Sequence, residues 1–218
     1  MAMQRTASVR IPVSGIDLAL PGDLTLSKGV TGLVIFAHGS GSSRMSPRNR
    51  AVAAALAQAG LATLLFDLLT DPEAADRANV FDIPLLAARV AEAVGWARAE
   101  PRLAGLGIGL FGASTGAAAA LVAAADRPDD VGAVVSRGGR PDLAGAALER
   151  VAAPTLLIVG GADDGVIDLN QQAYARLRCE KRLAIVPGAT HLFEEPGTLE
   201  AVMGLAAEWF TAHLARRP

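Results

Sequence analysis

Short apolar runs alternate along this chain with longer stretches in which alanine and polar residues mix. The runs are Leu33 to Ala37, Ala62 to Phe66, Leu106 to Phe111, Gly132 to Val135, Thr155 to Val159 and Leu183 to Val186. Several are apolar at consecutive positions, the pattern of a strand covered on both faces within a parallel sheet. The stretches between them predict helices over about 47–59, 82–99, 115–126, 142–150, 169–178 and 197–215. This alternation predicts an α/β fold with a doubly wound, mostly parallel sheet flanked by helices. The first thirty residues depart from it. Their turn formers Pro12, Gly15, Pro21, Gly22 and Gly29 predict an antiparallel hairpin on the sheet edge. No linker-like stretch or internal repeat divides the 218 residues, so one domain is expected.

Composition narrows the class without naming a function. The chain is 51% hydrophobic and 19% charged with a formal net charge of -2, both signs being scattered along it. No basic stripe marks a nucleic-acid partner. The apolar runs are too short to span a bilayer, and the N-terminal residues lack the apolar core of a secretory signal. The single cysteine, Cys179, cannot form an internal disulfide. A cytoplasmic protein is the expectation. No His or Cys pair has metal-ligand spacing, so no metal is expected.

The chemistry gathers where a doubly wound sheet places it, at the carboxyl ends of its strands. The run to Phe111 leads into Gly112-Ala113-Ser114-Thr115-Gly116, followed at once by a predicted helix. A G-x-S-x-G turn between strand and helix forces its serine into a strained conformation with the hydroxyl exposed, and Ser114 is the candidate nucleophile. The competing reading is a helix N-cap serine. Of three histidines, His191 follows the last predicted strand and falls at the same sheet edge, so it is the candidate general base. His38 ends an early strand, and His213 sits late in the last helix on an expected solvated face. The orienting acid should follow the penultimate strand, where Asp163 and Asp164 are adjacent, with Asp142 as a third possibility. The backbone amides of Thr115 and Ser40, the latter in His38-Gly39-Ser40-Gly41, are the expected oxyanion donors.

One pattern misleads. Gly107-Ile-Gly109-Leu-Phe-Gly112 satisfies G-x-G-x-x-G, but its first two glycines fall inside a strand instead of opening a helix. That argues against a dinucleotide site.

Together, His38-Gly39-Ser40-Gly41, the Ser114 elbow, the Asp163 loop and Gly188-Ala-Thr-His191 resemble the α/β-hydrolase superfamily. The layout is most similar to its dienelactone hydrolase-like family. Asp163, three residues before Val166, has the spacing of the acid in that superfamily, whereas Asp164 before Gly165 suits a turn or a helix cap. The resemblance implies cleavage of a small-molecule ester, lactone or thioester without a cofactor. Dienelactone hydrolases proper carry cysteine at the elbow, where this chain has Ser114. Acyl transfer by the same triad and a catalytically silent binding fold are the alternatives. Acceptor competition and a fluorophosphonate probe separate them.

The stretch between Val135 and Thr155 leaves no room for a cap domain, which predicts an open, shallow site. Four arginines fall near its expected mouth: Arg44, Arg48, Arg137 and Arg140. They are either a clamp for a substrate carboxylate or solvated structural residues.

Overall fold

A computed structural model describes residues 5–214. Eight strands form one sheet in the order β1-β2-β4-β3-β5-β6-β7-β8. The strands are β1 (Arg5–Pro12), β2 (Ala19–Leu26), β3 (Gly32–Ala37), β4 (Ala62–Phe66), β5 (Gly107–Ala113), β6 (Val131–Arg137), β7 (Thr155–Gly160) and β8 (Lys181–Val186). β1 and β2 form the edge hairpin, and β2 runs antiparallel to β4. All pairings from β4 across to β8 are parallel. The expected architecture is therefore the observed one.

The consecutive apolar residues of the central strands serve two cores. In β3, Leu33 and Ile35 join one core with α4 (Ile83–Ala99) and α5 (Thr115–Asp126). Val34 and Phe36 join the other with α1 (Pro47–Gln58) and α7 (Thr198–His213). Side chains alternate across a strand, so an unbroken apolar run is what two covered faces require. The glycines of the misleading G-x-G-x-x-G motif answer to this packing. Gly109 lies inside β5, and a Cβ there would meet the Phe210 ring of α7 at 2.6 Å.

Some elements differ from the sequence expectation. The chain from 71 to 80 forms two short helices, α2 (Asp71–Ala75) and α3 (Arg77–Val80), where none was predicted. They are too short for helical periodicity to register, but Thr70 and Glu73 make a capping box that signals the first. The stretch predicted as a helix over 142–150 is a pair of 3₁₀ turns, Pro141–Arg150, broken where Gly145 turns to φ 55°. α6 (Asp164–Arg176) starts five residues before the predicted position, directly behind Asp163. The last helix ends at His213, and its predicted end at 215 lies outside the described residues. Among the described residues, no helix is long and apolar enough to cross a membrane.

Candidate active site

Ser114 stands between β5 and α5 with φ 51° and ψ -124°, a conformation that L-residues adopt at a cost. The surrounding glycines make the turn possible. A Cβ on Gly112 would lie 2.4 Å from the Ala117 Cα, and one on Gly116 would lie 2.2 Å from the Ala37 carbonyl oxygen. The chain can therefore fold back tightly enough to project Ser114 from the sheet edge. Its hydroxyl caps nothing, since no side-chain bond closes the N-terminus of α5. The N-cap reading of this serine is thereby removed.

His191 lies on the loop after β8. Its Nδ1 is 2.7 Å from Asp163 Oδ2. Asp163 immediately precedes α6, while Asp164 is the exposed first residue of that helix. Asp142 is held by Arg140. Among the three candidate acids, the structure thus brings Asp163 to His191. A carboxylate accepting from Nδ1–H leaves Nε2 with its lone pair, as a base requires. The His191 loop is itself clasped, because Glu195 accepts from the Thr190 amide at 3.0 Å and from its hydroxyl at 2.6 Å. Those bonds from Thr190 hold the Glu195 carboxyl below its ordinary pKa. Ser114 and His191 line one cleft of about 260 Å³ without a direct hydrogen bond between them. Such bonds are often loose in unliganded enzymes.

Thr115 and Ser40, the two expected oxyanion donors, lie next to each other in the fold. As the first residue of α5, Thr115 has an amide with no carbonyl one turn back to bond. Ser40 lines the cleft, and its amide donates to Thr115 Oγ1 at 3.0 Å. An oxyanion would have to draw it from that hydroxyl. Sequence reasoning missed the brace behind this loop. The Leu68 amide donates to His38 Nε2 at 3.0 Å, and His38 Nδ1 lies 3.0 Å from the Gly39 carbonyl. Burial lowers the pKa of His38, favouring the neutral ring that this pair of contacts needs. His213, expected on a solvated face, is half-buried against Trp209.

The four arginines separate. Arg44 is bound to Asp67, with Asp23 at 3.5 Å, and Arg140 makes a two-pronged pair with Asp142. Neither lines the Ser114 cleft. Their place in a substrate clamp is corrected to that of structural ion pairs. Arg48 and Arg137 do line it. A second cavity, of about 280 Å³, shares Gly39, Ser40 and Ser42 with the cleft and is walled by Leu68, Leu69, Ala74, Val80 and Leu86. The open, shallow site expected from the missing cap therefore has an apolar neighbour built partly by α2 and α3.

The mostly parallel sheet, the serine elbow and the histidine loop at one edge define an α/β-hydrolase fold. A family model for the dienelactone hydrolase family matches residues 24–210, and the chain belongs to that family. A crystal structure of dienelactone hydrolase from Anabaena variabilis is 56% identical and superposes with a TM-score of 0.93 over 97% of this chain and 99% of that one. Est1E from Butyrivibrio proteoclasticus, 18% identical, shares the fold with a TM-score of 0.78, covering 94% of this chain and 98% of its own. A protein of Mycobacterium tuberculosis named "Putative phosphoribosyl transferase Rv0571c" is 59% identical over 210 residues, which are 96% of this chain and 47% of that protein. The chain thus spans about half the length of the curated relatives it matches.

Proposed function

We propose that this protein is a serine hydrolase that cleaves a carboxylic ester, lactone or thioester through an acyl-enzyme. The observation that carries the reading is the strained Ser114 sharing a cleft with His191, whose Nδ1 is 2.7 Å from Asp163. Membership of the dienelactone hydrolase family supports it. The transferase name belongs to a protein of which this chain matches 47%, and its activity is not carried over.

In this reading His191 Nε2 takes the Ser114 proton as Oγ attacks the substrate carbonyl. The oxyanion is held by the amides of Thr115 and Ser40, the latter leaving Thr115 Oγ1. Collapse breaks the bond to the alcohol or thiol, which departs with the proton from His191. Water then gives a proton to His191 as its oxygen attacks the acyl group; the acyl–Oγ bond breaks, His191 returns the proton to Ser114 Oγ, and the acid leaves. Asp163 fixes the imidazole tautomer and stabilises the imidazolium. No step calls for a metal or an organic cofactor.

The test is turnover of a short aryl ester by Ser114→Ala. Folding should be retained, and kcat should drop by about 10⁴-fold or more. A folded variant with wild-type turnover contradicts the reading.

A further inference from the structure

Arg137 is the last residue of β6 and pairs across the sheet with Ala113, the residue before the nucleophile. Its carbonyl accepts from the Ser114 amide at 3.4 Å. This places its backbone beside the elbow. The residue is only 6% exposed and lines the cleft with Ser114 and His191. Among the described residues one other arginine, Arg89, is buried, and it is paired with Glu73 at 2.7 Å. Arg137 has no carboxylate within ion-pair distance among the described residues. Its guanidinium donates to Asn49 Oδ1 at 3.1 Å, its Nε has no partner, and the Phe193 ring centroid lies 5.9 Å from its Cζ. The charged neighbour that acts on it is Arg48, which has the same sign and is itself bonded to the exposed Glu194. Burial, with Arg48 second, lowers the Arg137 pKa to about 10, so it is still a cation at neutral pH.

Keeping a guanidinium dry beside a second cation costs free energy unless an anion compensates it. A guanidinium with free donors matches a carboxylate or phosphate. We infer that Arg137, assisted by Arg48, is an anion subsite of the Ser114 cleft, and that the substrate bears a carboxylate or phosphate near its scissile bond. The substrate half of this inference rests on the serine hydrolase reading; the anion site itself does not.

The experiment compares three acetyl esters that differ in one para substituent: 4-acetoxybenzoate, 4-acetoxyphenyl phosphate and the neutral 4-acetoxybenzamide. The same comparison on the acyl side uses the 4-nitrophenyl esters of succinic acid and of its neutral succinamic counterpart. Wild type should prefer at least one anionic ester to its neutral partner by about tenfold or more in kcat/KM, the favoured anion identifying the source of the charge. Arg137→Met should erase that preference, its loss in kcat/KM on the favoured anionic ester exceeding its loss on the neutral partner by about tenfold or more. Because it removes an uncompensated buried cation, its melting temperature should equal or exceed that of wild type. Arg48→Ala, at a more exposed position, should reduce the preference in part and covers the case in which Arg137→Met does not fold. Equal losses on anionic and neutral esters, or a lowered melting temperature with the preference intact, would return Arg137 to a structural role. If wild type cleaves none of these esters, the hydrolase reading fails. The site is then judged by thermal shift of wild type and Arg137→Met with benzoate, succinate and inorganic phosphate. Stabilisation of wild type alone supports the subsite, and no difference overturns it.

Discussion

Ser114, Asp163 and His191 carry signals that survive in a linear sequence, because each sits at a fixed offset from a strand end. Asp163 was one of two adjacent aspartates, and spacing to Val166 favoured it; in the fold its Oδ2 lies 2.7 Å from His191 Nδ1, while Asp164 opens α6 in solvent. Asp163→Asn should keep the loop's shape but favour the wrong imidazole tautomer, lowering kcat by up to about 10⁴-fold. Asp164→Asn should cost less than about tenfold. Both are measured on one activated ester, with circular dichroism to establish folding; the reverse order would move the acid by one residue. The arginines were less legible. Arg140 has its partner two residues away, but Arg44 meets Asp23 and Asp67 only because β2 and β4 are neighbours in the sheet. The isolation of Arg137 among the described residues is equally a product of folding, since it depends on which separate elements pack around the end of β6.

At the scale of elements, strands buried on both faces announced themselves through unbroken apolar runs, and the long helices followed by exclusion. Short elements gave no such period. α2 and α3, of five and four residues, were missed, although Glu73 anchors α2 to Arg89 of α4. Their consequence is chemical, because Ala74 and Val80 wall the apolar cavity beside the Ser40 loop. Its volume of about 280 Å³ exceeds the roughly 150 Å³ that houses a benzene, so a ring or short acyl chain fits, and methylenes reaching past its walls gain no further burial. Short acyl and simple aryl esters should therefore be turned over faster than long-chain esters. Ala74→Trp, a change at an exposed position of α2, should lower kcat/KM for a ring-bearing acyl ester several-fold and spare the acetyl ester. A steady rise in kcat/KM from acetyl to dodecanoyl esters in wild type, or equal effects of Ala74→Trp on both acyl groups, would show that this cavity does not receive substrate.

For the molecule as a whole, the parallel sheet accounts for why residues far apart in sequence share one cleft. β3, β5, β6 and β7 run in the same direction, so the loop of Ser40, the elbow of Ser114, the end of β6 at Arg137 and the Asp163 loop emerge along one edge. Buried strands fix that direction, which is why the arrangement could be anticipated from hydrophobic pattern and motif order. The charge environment and the apolar cavity could not, because both depend on contacts between separate loops. The hydrolysis proposed for this cleft depends on acylation of Ser114. Its most direct measurement is peptide mass spectrometry of wild-type protein quenched during reaction with a short aryl ester, alongside a fluorophosphonate-treated sample. An acyl or phosphonyl adduct is expected on the peptide containing Ser114 and is expected to be absent from Ser114→Ala. Modification of Ser40, Ser42 or Ser43 instead, or ester turnover and probe labelling that persist in Ser114→Ala, would contradict it.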